Sequence, residues 1–333
     1  MLEHGGNLAE MVRALGRPEG EWLDLSTGVN PHPWDAPTPP PACWSRLPDS
    51  GDGLLEAAGA YYGCESLLAT PGSQAALALL PLLRAPSRVA VIDPGYTEHA
   101  AAWKRAGHEV VPISSAQLAT GVGTAFDVLV VINPNNPDGT YFEPETLLEW
   151  RTALAARGGW LVIDEAFVDP TPGYSLATRC PAPGLVVLRS IGKFFGLPGM
   201  RVGFALGAED LLARMEEALG PWPVNGPGRW VARQALLDTD WHERTRATLA
   251  AEGDRLRGLL ADLFGRRVVG TPLFATVLSP RAAAIHERLA EAGILARLLD
   301  RQDGIRFGLP PDEPGWQRLE ETLRAILSEH AGA

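Results

Sequence analysis

Residues 126–139 read FDVLVVINPNNPDG and residues 160–167 read WLVIDEAF, with a helical pattern at 143–157 between them. An unbroken apolar run describes a strand covered on both faces, because a half-exposed strand would alternate. Both runs break into polar residues at the carboxyl end, Asn133 to Gly139 in one and Asp164-Glu165 in the other. Strand, crossover helix and strand form a right-handed parallel unit. In open α/β sheets of this kind, ligands bind beyond the carboxyl ends of the strands.

The same alternation extends to both sides. Amphipathic stretches at 52–62 and 73–85 precede a strand, RVAVI (88–92), that ends in Asp93-Pro94-Gly95; a helix at 96–106 and a strand near 109–113 follow. LVVLRS (185–190) and VGFALG (202–207) complete the series. The expected fold class is α/β, a mostly parallel sheet in a large domain. From about 208 the pattern changes to long helices (209–219, 226–238, 240–264), then short strands near 273–278, 294–297 and 305–309 with helices at 281–292 and 313–330. That describes a smaller α+β domain. Seven of the 29 prolines fall within 31–48, which reads as an extended arm. The expected division is an amino-terminal arm (1–40) packing with the small domain and active site, a large domain (41–210) and a small one (211–333).

Composition narrows the function. The 333 residues are 46% hydrophobic and 21% charged, which suits a folded core. Forty acidic side chains against 29 basic ones give a net charge of −11, which disfavours nucleic acid and anionic membrane surfaces. The longest apolar run, 75–83, is shorter than the roughly 18 residues of a membrane span. Three cysteines without CxxC spacing, and no metal-ligand motif, suggest a reduced cytoplasmic protein without a structural metal. Of the 29 basic residues only two, Lys104 and Lys193, are lysines. Lysine-dependent chemistry is therefore easy to locate.

Four segments fall at strand ends or helix starts: Gly72-Ser73-Gln74, Asn133 to Gly139, Asp164-Glu165, and Ser190-Ile191-Gly192-Lys193 with Arg201 eight residues on. Each alone has an ordinary explanation, as a helix cap, a turn or a strand end. Lys104 lies in AAWKRAGHE, on an exposed helix, whereas Lys193 is flanked by Gly192, Phe194, Phe195 and Gly196. Apolar surroundings favour the neutral, nucleophilic amine and hence a Schiff base.

The order GSQ, NPNNPDG, DEAF and SxGKxxGxxGxR resembles the fold-type I pyridoxal-phosphate enzymes of the aspartate aminotransferase superfamily, over residues 4–310. The resemblance implies pyridoxal 5′-phosphate held by Lys193 as a Schiff base and Asp164 paired with the pyridine nitrogen. It further implies Asn136 on the ring hydroxyl, Tyr96 stacked on the ring, and the phosphate held by Gly72, Ser73, Gln74, Ser190 and Arg201. Phe167 and Leu47 depart from it, standing where many relatives carry tyrosines that reach the cofactor.

His4-Gly5-Gly6-Asn7 and DLSTGVNP (24–31) are similar to the threonine-phosphate decarboxylases of cobalamin biosynthesis, close kin of the histidinol-phosphate aminotransferases. That similarity implies substrate contacts from His4, Gly5, Asn30 and Asn136. In GIRFGLP (304–310), Arg306 matches the superfamily's carboxylate-binding position, and Arg297 stands where phosphate-binding members place a second arginine. A phosphorylated amino acid is the implied partner, and a homodimer the implied assembly. Decarboxylation breaks the Cα–carboxylate bond, whereas transamination removes the α-proton. Rotation about one bond separates the two, so the residues leave both open, beside a non-catalytic binding protein on the same fold.

Overall fold

The computed structural model describes residues 5–121 and 125–328. In chain order its strands are β1 (Leu23–Asp24), β2 (Leu67–Thr70), β3 (Arg88–Ile92), β4 (Glu109–Ile113), β5 (Val128–Ile132), β6 (Trp160–Asp164) and β7 (Leu185–Ser190). They continue with β8 (Gly203–Leu206), β9 (Val268–Thr271), β10 (Phe274–Leu278), β11 (Ile294–Leu295), β12 (Arg297–Leu298) and β13 (Gly304–Gly308). The chain divides into two compact units. One runs through His32, takes in Pro137–Gly139 and resumes at Ala247; the other holds Pro33–Asn136 and Thr140–Arg246.

The second unit is built on a seven-stranded sheet of order β2-β8-β7-β6-β5-β3-β4. The five strands from β4 to β7 are parallel; β8 runs antiparallel to them, and β2, antiparallel to β8 at the edge, points the same way as the five. Residues Val128 to Ile132 are all buried, as their unbroken apolar run requires. One face packs Ala76, Leu77, Leu80, Trp103, Leu211 and Met215 against Val89, Val130, Val162 and Leu188. Because β3 pairs with β4 on one side and β5 on the other, the chain order reverses there. A crevice at the carboxyl ends of β3 and β5 follows from that reversal.

The first unit carries a four-stranded antiparallel sheet, β12-β13-β10-β9, and a parallel pair, β1-β11. The helix Glu313–Ser328 buries Trp316, Leu319, Leu323 and Ile326, one stripe at helical spacing. Gly139 is required where it stands: a Cβ there would lie 2.5 Å from Gly270 Cα.

Three features differ from expectation. The units change over at 246/247, not near 210, because the helices after 208 belong to the seven-stranded sheet. Glu209–Leu219 buries Leu211, Leu212 and Met215 in its core, and Gly226–Leu237 packs along Leu54–Tyr62. The arm likewise divides at 32/33: the Trp34 amide donates to Phe195 O (2.9 Å), and its indole donates to Asp238 (3.0 Å). The helix from Ser73 stops at Leu79 and tightens into a 3-10 turn, Leu80–Leu83, where Pro81 supplies no amide donor.

Candidate active site

Five of the expected residues emerge from neighbouring strands of the seven-stranded sheet at one edge. Tyr96 follows β3, Asn136 follows β5, Asp164 ends β6, Ser190 ends β7, and Lys193 lies in the turn beyond. Asp164 is 6% exposed and doubly held: its Oδ1 accepts from the Ala166 amide (3.0 Å), and its Oδ2 lies 2.9 Å from His99 Nε2. An ionised carboxylate only accepts, so His99 Nε2 carries the proton. His99, 2% exposed, joins the candidate site and was not among the residues expected from the sequence. Its signal was its position three residues after Tyr96 on the helix Thr97–Arg105, which places both on one face.

Lys193 is half-buried, and its Nζ lies 5.3 Å from the centre of the Phe167 ring. The fully buried Phe194 and Phe195 hold its turn on Trp241, with Phe195 stacked on that indole at 12°. Tyr96 donates its hydroxyl to Gln74 Oε1 (3.2 Å), and Gln74 Nε2 donates to Glu98 (3.4 Å). Burial, reinforced by Glu98 and Asp164, pushes the Tyr96 phenol up to about 12, so it stays neutral. Ser190 Oγ accepts from the Gly192 amide (3.1 Å).

Gly72 and Arg201 form a cradle at the start of the helix Ser73–Leu79. Gly72 has φ +73° and ψ 160°, a region open essentially to glycine. A Cβ there would also stand 2.6 Å from Arg201 Nη2, so the missing side chain makes room for the guanidinium. Arg201 itself has φ +53° and donates to Pro198 O (3.1 Å). Gly203 does the same for the helix: a Cβ there would lie 2.3 Å from the Ser73 amide nitrogen.

A buried ionic cluster lies behind this edge. Glu165 accepts from Ser175 Oγ, the Leu176 amide (2.7 Å) and Arg189 Nη1 (2.7 Å). Arg189 Nη2 donates to Asp169, and its guanidinium covers the Tyr62 ring at 4.5 Å. Burial opposes the charge on Arg189, but Asp169 and Glu165 outweigh it and hold the guanidinium charged.

In the other unit, Arg306 of β13 faces Arg297 of β12 in antiparallel register. Arg306 is 7% exposed, lies over the Phe274 ring (5.3 Å) and donates to Ser26 O (2.6 Å). Burial and the neighbouring Arg297 charge lower it to about 10. Arg297 also pairs with Asp300 (2.7 Å). Two arginines placed opposite one another suit an anion. Asn30, 2% exposed, directs its Oδ1 to its own turn, accepting from the His32 amide (2.9 Å). Gly5 lies against Ser26, while His4 lies outside the described residues.

The profile of the class I and II aminotransferases matches residues 21–311. The chain belongs to this family. Among its relatives, a threonine-phosphate decarboxylase from Pseudomonas aeruginosa is 50% identical over 97% of this chain and 97% of its own. Two solved members share the fold: a histidinol-phosphate aminotransferase from Sinorhizobium meliloti in complex with pyridoxal-5′-phosphate, and an L-threonine-O-3-phosphate decarboxylase from Porphyromonas gingivalis. The first has a TM-score of 0.82 at 20% identity, covering 98% of this chain and 96% of that one. The second has 0.77 at 21%, covering 91% and 99%.

The family's cofactor fits the residues present. The Gly72–Arg201 cradle suits a phosphate, the buried Asp164–His99 pair suits a protonated ring nitrogen, and Lys193 suits an aldehyde. Phe167, 4% exposed, offers an aromatic face beside Lys193.

Proposed function

We propose that this chain is a pyridoxal-phosphate enzyme that decarboxylates L-threonine O-3-phosphate to (R)-1-amino-2-propanol O-2-phosphate and carbon dioxide, in cobalamin biosynthesis. The observation that carries this reaction is the 50% identity, over nearly the whole of both chains, to the Pseudomonas aeruginosa decarboxylase. The chemistry of the residues agrees with it. When bound, pyridoxal phosphate supplies an aldehyde for an amine and a protonated ring that withdraws electrons from Cα.

The protein does the rest. Arg201, with the Ser73 amide and Ser190, holds the cofactor phosphate. Asp164 keeps the proton on the ring nitrogen, and His99 keeps Asp164 in place. Tyr96 covers the ring and Asn136 meets its hydroxyl. Lys193 would hold the aldehyde, and its Nζ would be the group that delivers a proton to the substrate Cα. Arg306 and Arg297 take the acidic groups of the substrate, assisted by His4, Gly5 and Asn30. A cationic pair in a protein of net charge −11 makes sense for a substrate that carries both phosphate and carboxylate.

Incubation with threonine phosphate alone tests the reaction. Carbon dioxide released without any keto acid is expected, and none released would sink the assignment. Strict dependence on a keto acid would establish an aminotransferase instead. For the cofactor, the visible absorption of the purified protein should vanish in Lys193→Ala. Carbon dioxide release should fall there by about a thousandfold, the scale of a lost acid-base group.

The assembly we propose is a homodimer. Trp44 and Leu47 are 67% and 66% exposed, and Trp222 is 54% exposed. No helix among the described residues is long and apolar enough to cross a membrane. The cysteines are free thiols, which supports a cytoplasmic home.

A further inference from the structure

Ser26 joins the amino-terminal segment to Arg306. It is 2% exposed, and its three polar groups make four hydrogen bonds. Its carbonyl accepts from Arg306 Nη2 (2.6 Å), and its Oγ accepts from the Gly6 amide (2.8 Å). Its own amide and hydroxyl both donate to Asp24 Oδ1 (2.9 and 2.7 Å). A hydroxyl has one proton, so donation to Asp24 leaves the Oγ lone pairs for Gly6. Asp24 thereby sets the direction of the whole relay.

The backbone around Ser26 is fixed independently. The Leu25 amide donates to Leu295 O, and Leu25 O accepts from the Gly308 amide, both at 2.7 Å. Gly308 lies on the same strand as Arg306. Residue 25 is therefore tied on both sides, and Ser26 stays in register with the guanidinium. Gly5 fits closely: a Cβ there would lie 2.3 Å from Ser26 O and 3.6 Å from Arg306 Nη2. Residue 5 thus rests on the same carbonyl that the guanidinium uses. A serine that merely satisfied a core would need one partner, and nothing in that role would bring the chain's start to a buried arginine.

We propose that Ser26, set by Asp24, is a positioning residue for the acidic group of the substrate. It fixes the Arg306 guanidinium through its carbonyl and seats residues 5–6 beside it through its hydroxyl. Resting on the reading of Arg306 as an acid-binding residue, this makes anion binding and docking of the amino-terminal segment one coupled event. Anion bound at Arg306 steadies Ser26, and Ser26 steadies Gly6.

Ser26→Ala keeps the carbonyl and deletes the hydroxyl. Hydrogen exchange at residues 5–7, followed by mass spectrometry with and without threonine phosphate, reads docking directly. Steady-state kinetics reads positioning. In the wild type, threonine phosphate should slow exchange there; in Ser26→Ala, exchange should be fast and unaffected by substrate. KM should rise about tenfold, the scale of one lost hydrogen bond, with kcat within about twofold. Gly5→Ala, which pushes the segment off Ser26 O while the serine itself is unsubstituted, should give the same split and guards against misfolding of Ser26→Ala. Unchanged exchange in both variants, or faster exchange with unchanged KM, overturns the proposal. Arg306→Gln separates the underlying reading: if its KM for threonine phosphate equals that of the wild type, Arg306 does not bind the acid. The exchange data on Ser26→Ala then still decide whether the hydroxyl docks the segment.

Discussion

At the scale of single residues, the candidate centre depends on how a buried carboxyl group is held still. Asp164 has the Ala166 amide on one oxygen and His99 on the other. Removing a hydrogen bond to a charged group costs about 1.5–3 kcal/mol, so His99→Asn should lower kcat roughly 10- to 100-fold. Lys193 stays in place in that variant, so visible absorption should persist while turnover falls; loss of both together would mean that His99 holds the fold rather than the carboxylate. The placement of Lys193 and Asp164 was legible in the sequence because each follows or ends an apolar strand, where sheet topology sends ligands. His99 was not, because its partner is 65 residues away and only the packed helix brings them together. Ser26 escaped for the same reason: its tie to Arg306 spans 280 residues.

At the scale of elements, two successive residues on β6 and its turn serve opposite faces. Asp164 meets His99, whereas Glu165 turns to Arg189, Ser175 and Leu176. The Arg189 cluster thus locks the turn that carries Phe167 beside Lys193. Removing one partner from a buried ion pair leaves an uncompensated charge and costs about 3–5 kcal/mol. Arg189→Met should therefore lower the thermal midpoint by several degrees, and pairing it with Glu165→Gln should restore part of the loss. A double variant no more stable than Arg189→Met would refute the coupling. Long apolar strands such as β3, β5 and β7 were readable within a residue or two of their ends, because burial on both faces writes itself into composition. The two-residue β1, the four-residue β2 and β9, and the direction of β8 were not. Strands this short carry no period, and pairing direction depends on partners far along the chain.

At the scale of the whole molecule, acid stability and assembly follow from what is buried and what is left exposed. His242 lies 3% exposed among Tyr61, Phe194, Phe195 and Trp241, donating to Ala235 O (2.8 Å). Burial, aided by the charge of Arg246, lowers it from the usual histidine range. The unfolded chain therefore takes up this proton first. The stabilisation is fully present above about pH 6.5 and is lost as pH falls through the folded value. His242→Gln should flatten that part of the thermal-midpoint profile between about pH 6.5 and 5; an unchanged slope would exonerate His242. Assembly involves the opposite sort of residue. The Cys43 carbonyl lies where a Cβ on Gly226 would be, 2.3 Å away, so the segment with exposed Trp44 and Leu47 packs beside the one following Trp222. Large exposed apolar side chains on adjoining segments suit the interface of the proposed homodimer. Two chains of net charge −11 repel, so the proposed dimer needs a contact apolar enough to overcome it. Added salt screens that repulsion without weakening apolar contact, so a dimer built here should persist or tighten from low to high ionic strength. Trp44→Glu with Leu47→Asp adds two more negative charges per chain at the contact. Light scattering should then fall from about twice the 35.6 kDa chain mass to a single chain. A dimer that survives the double substitution, or a wild type that dissociates on adding salt, would place the interface elsewhere.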